Sequence, residues 1–530
     1  MGKKAGLVPV VLLCLFFSAC KKPTDGLSLN IAPQLFEYTV ALQFYNAADL
    51  AHTPTGVNIR LSGKDAGSMY EISGNKKLTV VDGFISLGLL ADRNPDPGNP
   101  IQFTVEVTAT GCLPVTVPVT ILNGQLVQFI PVELVNPSAP PAGVSVKRAS
   151  ISLAGNALPE ATTLITPSTQ GKQESAILNL PAGLKFKDEA GNTLSGSTLS
   201  LTLVHFDART AAALDAFPGG QRSTNLLRDA QNNTSSAFFQ TAGFVYLLAT
   251  LDGKNVATFT NSAVVTMGVN NQQWNPAAGR NFADGDSIGV FRFTQGTAIW
   301  NIAAATKIST SNAKLIAQFN INRTGAHTLA RSGNVCNATS IRFNTGIAGT
   351  EVFRMDVFAG NDQFTPVYSR QVQVADQESL PLANLPAGNV TVKVYPSGLD
   401  NPVYNFMKHG QAIGVWTGNA CSGSGSVTID PQNKEPLYFD IEGYCSNKKT
   451  YIRPTFYVLY ALPHTNQFQM LGLVRDGRFS TQNLDVNTTY DFKVIWGGNR
   501  STLVTGKLAD RPGNQVTVIV PKSEEASFCN

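Results

Sequence analysis

Leu199-Ser200-Leu201-Thr202-Leu203 alternates apolar and polar side chains without a break, as do Val57-Asn58-Ile59-Arg60-Leu61, Phe103-Thr104-Val105-Glu106-Val107 and Val390-Thr391-Val392-Lys393-Val394. A period of two puts every second side chain on one face, the pattern of a strand with one face in a core. Between such runs stand Asp82-Gly83, Ala190-Gly191-Asn192, Asp252-Gly253 and Asp476-Gly477. Gly and Asn can take the positive φ that tight hairpin turns need. Long stretches of helical period are hard to find. The chain is therefore expected to be all-β, a series of β-sandwiches.

Composition supports this reading. At 530 residues the chain has room for about three or four domains. Charged residues are only 14%, with 46 Gly and 29 Pro, a mixture suited to turn-rich β structure. The formal charge is +4, with no long basic stretch and no basic-aromatic interleaving, so nothing points to a nucleic-acid partner.

The first residues carry a targeting pattern. Lys3 and Lys4 precede an apolar run from Leu7 to Phe17, as in a signal peptide. The run falls short of the roughly 20 apolar residues that span a bilayer. Leu15-Phe16-Phe17-Ser18-Ala19-Cys20 resembles the lipobox of bacterial lipoproteins. That resemblance implies a signal peptide over 1–19, removed with Cys14, a diacylglycerol on the Cys20 thiol, and a fatty acyl group such as palmitate on the new amino terminus. Several chains anchor stably where one is marginal. A membrane is then a partner through the lipid. Lys21, in place of an aspartate associated with inner-membrane retention, directs the expectation to the outer membrane, either leaflet. An ordinary secretory signal with a chance cysteine is the alternative, and export follows from both. Residues 20–33 form the tether, and the charge falls to +2 when Lys3 and Lys4 are lost.

Residues 34–136 form the first expected module. Thr55-Gly56-Val57-Asn58-Ile59-Arg60-Leu61-Ser62-Gly63, Asp82-Gly83-Phe84-Ile85-Ser86-Leu87 and Gly111-Cys112-Leu113-Pro114-Val115-Thr116-Val117 follow one another there. This order resembles the carboxypeptidase-regulatory-like, or prealbumin-like, β-sandwich, with Cys112 where that family has an aromatic residue. Pro137, Pro140 and Pro141 stiffen a linker over 137–143. Module two, 144–329, carries Leu180-Pro181-Ala182-Gly183-Leu184, Gly243-Phe244-Val245-Tyr246-Leu247 and Asp284-Gly285-Asp286-Ser287-Ile288-Gly289. Their order resembles an extracellular β module shared by bacterial surface proteins and animal cartilage-matrix and membrane proteins, which implies a structural or binding role. The fold class expected is tandem Ig-like or prealbumin-like β-sandwiches behind a lipoprotein signal peptide.

Residues 330–435 and 436–530 read as a duplication. Cys336, Asn384-Leu385, Val392-Lys393-Val394 and Cys421 recur as Cys445, Asn483-Leu484, Phe492-Lys493-Val494 and Cys529, with first-to-last cysteine separations of 85 and 84. Recurrence at a fixed period marks a repeat. Pairing Cys336 with Cys421 and Cys445 with Cys529 would tie the first strand of each sandwich to its last, and oxidising compartments allow it. Cys421 with Cys445 is a competing connectivity. Cys112 is expected as a buried small hydrophobe within a strand.

Catalytic signatures are sparse. The sequence has no readable Gly-x-Ser-x-Gly elbow, zinc helix or phosphate loop, and His52, His205, His327, His409 and His464 are scattered. His205, in Leu203-Val204-His205-Phe206, is expected as a hydrogen-bonded, half-buried histidine rather than a base. Asn281, Asp284 and Asp286 offer oxygen ligands for Ca²⁺, against the plainer reading of an Asx-type turn. No other cofactor is implied. Trp300 is expected in a core. Trp274 stands among Asn271, Gln272, Gln273 and Asn275 and is expected to be exposed, and Trp496 lies at a strand end, so these two are the candidates for stacking on a glycan. The sequence thus suggests a non-enzymatic, lipid-anchored array of surface modules with an adhesion-like or structural role, contacting a glycan or another envelope protein. A carbohydrate-binding accessory lipoprotein of a nutrient-uptake system is second and a hydrolase third.

Overall fold

The structure, a computed structural model, describes residues 36–519 apart from 97, 169–173, 217–224, 337–338, 348, 363–364, 398–410, 430–436, 446–448, 454, 497–499 and 510–515. The signal stretch, Cys20, the tether and Cys529 lie outside these residues.

Alternation builds the first sandwich. β1 (Thr39–Asn46) lies between β4 (Phe84–Leu89), antiparallel, and β7 (Val127–Leu134), parallel, with β3 (Met69–Glu71) on the far edge of β4. β2 (Asn58–Ser62), β5 (Ile101–Thr108) and β6 (Val115–Ile121) form the facing sheet. Ile101, Phe103, Val105 and Val107 of β5 point inward against Val40, Leu42, Ile130 and Val132. Outward-facing Glu106 takes an ion pair from its cross-strand neighbour Arg60 at 3.0 Å.

The same plan occurs twice more. In the third sandwich Thr339–Asn344 is antiparallel to Ser379–Leu382 and parallel to Ser424–Thr428. In the fourth, Leu437–Cys445 is antiparallel to Arg478–Thr481 and parallel to Val516–Ile519. Each has a four-stranded facing sheet, centred on Thr350–Ala359 and Asn389–Pro396 in one and on Phe456–Ala461 and Thr489–Trp496 in the other. The duplication read from the cysteines is thus part of a threefold recurrence of strand order, whose first copy opens the chain without flanking cysteines. One local reason is shared. Asp82-Gly83 and Asp476-Gly477 each turn the chain into the strand that pairs antiparallel with the first, with φ of 49° and 74°, and 49° and 69°. Both residues at positive φ make the two-residue hairpin whose twist matches that of the strands.

Cys336 and Cys421 are joined by a disulfide with Cα atoms 5.2 Å apart, just ahead of the parallel first and last strands of the third sandwich. Leu385 and Leu484 of the repeated Asn-Leu pairs are 0% and 1% exposed and plug their respective cores. Cys112 corrects its expectation. It sits half-buried in the turn between β5 and β6, beside the first core and not within a strand, because Gly111 at φ 73° turns the chain there.

The second sandwich is built differently. Val144–Ser152, Thr198–Phe206, Thr234–Leu251, Gly325–Gly333 and Ser287–Thr294 form one face, and Thr162–Ile165, Ala176–Leu180, Thr258–Val269 and Lys314–Arg323 the other. The 13-residue strand Ile299–Ser311 pairs with Ser287–Thr294 along its first part and with Lys314–Arg323 along its last, and so carries the sheet from one face to the other. Its last described strand, Gly325–Gly333, crosses the boundary expected at 329.

The four bodies do not simply follow one another as a string. Ala41, Phe84 and Phe129 of the first sandwich, Val352 of the third, and Tyr457, Leu459, Met470, Leu473 and Ile495 of the fourth close into one buried cluster. Tyr457 is 1% exposed, its ring 5.7 Å from Phe129 at 79° and 5.3 Å from Phe84. Pairing of Gln371 with Phe129 makes the sheets of the first and third sandwiches continuous. Strands with apolar residues on both faces, such as Phe456–Ala461, have to bury both, and neighbouring sandwiches supply the second cover.

Truncation of Tyr457 to alanine is expected to cost about 3 to 5 kcal/mol, the range for a buried aromatic, and to speed proteolysis of the fourth sandwich. Urea unfolding and timed trypsin digestion measure both. The Cys336→Ser/Cys421→Ser variant should lose about 2 to 4 kcal/mol in the third sandwich, against about 4 to 5 from chain entropy alone, as read by urea unfolding under non-reducing conditions.

Candidate functional site

A cleft of about 480 Å³ opens on the outer face of the second sandwich. Three adjacent strands make its floor. Ile177 pairs with Thr266, and Gly268 with Ile316, so these residues share the face opposite the buried Leu178, Val265, Met267 and Ala317. Gly268 is bare for a reason: a Cβ there would stand 3.0 Å from the Cα of Glu174. The chain at Glu174 and Ser175 can cross closely only over a glycine, and the Gly268 amide donates to the Ser175 carbonyl at 3.0 Å.

Polar groups form the rim. The chain leaving Thr198–Phe206 is turned by Asp207, whose carboxylate accepts from the Arg209 amide at 2.6 Å and from the Thr210 hydroxyl. Arg209 is thereby aimed at the next loop, where Nη1 donates to Asn270 Oδ1 at 3.4 Å and to Gln272 Oε1. Asn270 Oδ1 also accepts from the Gln272 amide at 2.8 Å, an Asx turn that holds the loop. Lys314, from the turn into Lys314–Arg323, is exposed on the rim. Glu174 is 8% exposed, and its Oε2 has no hydrogen-bond partner among the described residues. An apolar floor with amides, two cations and one carboxylate around it suits a ligand with an apolar face and polar edges.

Of the stretch around Trp274 singled out from the sequence, Asn271 and Gln272 line this cleft. Trp274 lies in the same loop but is half-buried, and a methyl on Gly360 of the third sandwich would reach within 4.0 Å of its Nε1. Its polar neighbours predicted exposure. Gln273 instead turns inward, 2% exposed, and donates to Thr365 of the third sandwich at 3.4 Å, so the loop is a contact between bodies. The Trp496 side chain lies outside the described residues. Trp300 is 1% exposed in the core beneath Phe239 and Phe293.

Of the calcium candidates Asn281, Asp284 and Asp286, the two carboxylates accept from donors of the chain itself. Arg280 grips Asp286 with both guanidinium nitrogens at 2.9 Å, and the amides of Asn275 and Ala283 donate to the same carboxylate at 3.0 and 2.9 Å. Those bonds hold its carboxyl well below the usual carboxylate range, so the cation at this turn is the chain's own arginine. Asp284 accepts from the Thr310 amide at 3.2 Å. Among the described residues no group of three or more His, Cys, Asp or Glu comes together. The arrangement is that of a turn braced by a side chain.

His205 and His327 lie in one cross-strand row with Val245 between them. Each is 2% exposed, and one ring nitrogen of each, Nε2 and Nδ1, lacks a partner among the described residues. His205 is therefore fully buried and not the half-buried, satisfied residue expected, because it continues the face of Leu201 and Leu203 that lies in the core of the second sandwich. Burial pushes both imidazoles down to about 4, with nearby Arg292 adding to the effect on His327. The residues that shape the cleft, Glu174, Arg209, Gly268 and Lys314, carried no local motif. Asn270-Asn271-Gln272-Gln273 was the visible trace, as the polar setting of Trp274.

No family model and no curated protein matches this chain. Among solved structures it is similar to the Bacillus anthracis TIE protein, at 12% identity and a TM-score of 0.12 over 72% of this chain and 58% of that one. A Streptococcal ancillary pilin aligns at 10% identity and a TM-score of 0.13, over 45% of this chain and 93% of the pilin. The shaft pilin spaA from Lactobacillus rhamnosus GG aligns at 10% identity and 0.15, over 35% and 96%. Overlaps this slight transfer no role to this chain, which spans 58% of the TIE protein's length.

The histidines make a pH test. Both are neutral when folded above pH about 4, but in the unfolded chain they take up protons below the ordinary value of 6.5. Their contribution is complete above pH 6.5 and is lost as pH falls toward 4, by at most about 3 kcal/mol each. Urea unfolding between pH 7 and 4.5 should show a steeper loss in the natural protein than in His205→Gln/His327→Gln. Parallel profiles would show that the imidazoles are not held neutral.

Proposed function

We propose that this chain is a cell-envelope lipoprotein, anchored through lipid on Cys20, that acts without catalysis as a structural or adhesion-like surface protein. The observation that carries the reading is the junction of sandwiches one, three and four around Tyr457, a buried side-chain core between bodies that each have their own. Such junctions resist relative motion, as a load-bearing or presenting scaffold requires. Further ties have the same character. Glu351 of the third sandwich, 2% exposed, accepts from Thr481 Oγ1 at 3.0 Å and Asn483 Nδ2 at 2.6 Å of the fourth. Gln240 of the second donates to Asp362 of the third at 2.6 Å.

The lipobox-like stretch supports the anchor, with outer-membrane placement following from Lys21. The second reading is a carbohydrate-binding accessory component of an uptake system. The cleft beside Arg209 favours it, since a scaffold alone has no use for a polar-rimmed hollow.

Cells given a radiolabelled fatty acid should incorporate label into the natural protein and none into Cys20→Ser, which should leave the membrane fraction for the soluble one. Label retained by Cys20→Ser, or none in either, would refute the anchor. Surface protease treatment of intact cells then reports the leaflet.

A further inference from the structure

We propose that the outer face of the fourth sandwich, between Tyr438 and Tyr451, binds a neutral polysaccharide chain laid along the sheet. The inference rests on the reading of this chain as an adhesion-like surface protein, for which it names a partner, and it does not depend on the lipid.

Strand register puts the two tyrosines on one face. Along Leu437–Cys445, Leu437 and Phe439 turn to the core, so Tyr438, Asp440 and Glu442 turn out. Tyr451 stands opposite Tyr444, and Arg453, two residues on, reaches Glu442 at 3.1 Å, so both belong to that outer face. Tyr438 is 49% and Tyr451 53% exposed, whereas Tyr457, Tyr460 and Tyr490 of the same sandwich are buried. The level of Tyr438 and that of Tyr444 and Tyr451 are about 20 Å apart at the rise of a strand.

Between the rings lies a closed charge network. Arg453 reaches Asp440 at 3.0 Å as well as Glu442, and Arg478 faces Asp440 at 3.9 Å. Two guanidinium groups against two carboxylates leave no net charge there for an ionic ligand. The paired groups still hydrogen-bond, because each carboxylate oxygen has a second lone pair and each guanidinium has five N–H donors. Sugar hydroxyls can therefore be met as donors and as acceptors with the ion pairs intact. The order of groups also selects the class. A protein interface gathers its aromatic anchors at a centre depleted of charge. Here charge is central and the aromatic rings stand at the two ends. A chain of sugars fits that order, with its C–H faces on the separated rings and its hydroxyls over the middle.

Full-length protein in a detergent without a sugar headgroup would be titrated calorimetrically with cellohexaose, mannohexaose, xylohexaose and chitohexaose, with the disaccharide of each, and with hexagalacturonate. At least one neutral hexamer should bind with Kd at or below about 1 mM, about 10-fold or more tighter than its disaccharide, which cannot span both rings. Raising NaCl from about 0.05 to 0.5 M should change that affinity by less than about twofold, since no ionic contact to the ligand is screened. Tyr438→Ala and Tyr451→Ala should each weaken the hexamer about 5- to 10-fold, while Tyr438→Phe and Tyr451→Phe stay within about twofold, because the ring is what stacks. Both positions are half-exposed, so urea unfolding of each variant should match that of the natural protein. Absence of binding by every neutral hexamer overturns the proposal, as does equal affinity for hexamer and disaccharide, tighter binding of hexagalacturonate, or hexamer binding that survives both alanine changes. A dimer of the natural protein that is lost in Tyr438→Ala by sedimentation velocity, with no sugar bound, would assign the face to a second copy of the chain and also overturn it. Fatty-acid labelling is unaffected by any of these outcomes, so anchor and ligand fail separately.

Discussion

Each of the three recurring sandwiches is closed by its own two ends, the last strand lying parallel to the first. Thr39–Asn46 with Val127–Leu134, Thr339–Asn344 with Ser424–Thr428, and Leu437–Cys445 with Val516–Ile519 all obey this constraint. Parallel neighbours cannot be joined by a tight turn, so every other strand must be laid between them before the pair can form. Loop closure of that length is unfavourable until the core repays it. The Cys336–Cys421 bridge sits at this seam, where a cross-link removes the most freedom from the open chain.

Closure leaves the central sheets with a second apolar face. In the first sandwich Val40, Leu42 and Phe44 point into their own core while Ala41 points out, and Phe84 and Phe129 do likewise from neighbouring strands. Tyr457 and Leu459 alternate in the same way with Phe456, Val458 and Tyr460. Exposed together, these outer faces would be a large apolar patch, and packing them on one another removes it. Polar contacts then set the register of docking. Gln373 reproduces a backbone pairing with Leu473, donating at 3.2 Å and accepting at 2.9 Å. Asp82, in a hairpin turn of the first sandwich, accepts from Ser501 of the fourth at 2.5 Å and faces Lys493 at 3.9 Å.

The second sandwich takes a different part in the assembly. Its strand Thr198–Phe206 buries Leu199, Leu201 and Leu203 in the interior and Val204 and Phe206 outside, against Ala47, Leu113 and Val135 of the first. That docked face leaves the opposite one, with Ile177, Thr266, Gly268 and Ile316, to line the cleft. Among the described residues the docked sandwiches bear an open hollow, so a ligand held there would be held at a fixed place in the frame.

The sequence by itself determined the strands, because a side-chain period of two needs no knowledge of partners, and it determined the Asp-Gly turns, because positive φ is a property of single residues. The repeated Asn384-Leu385 and Asn483-Leu484 pairs and the cysteine spacing marked two of the three sandwiches. The third copy, at the start of the chain, shares strand order but not those markers, and order of pairing is not written in local pattern. The continuous apolar run Phe456-Tyr457-Val458-Leu459-Tyr460-Ala461 has no polar face to leave in water, and what covers its two faces is decided by its own core and by the neighbouring sandwiches. Trp274 shows the limit most plainly: its polar neighbours read as solvent-facing, yet Gln273 is buried and bonded to the third sandwich and the indole is half-buried. The cleft was equally hidden, for Glu174, Arg209, Gly268 and Lys314 are brought together only when three strands pair and two loops fold over their ends. Tertiary structure alone decided such contacts, since they join residues whose separation along the chain is far longer than any pattern a local period can carry.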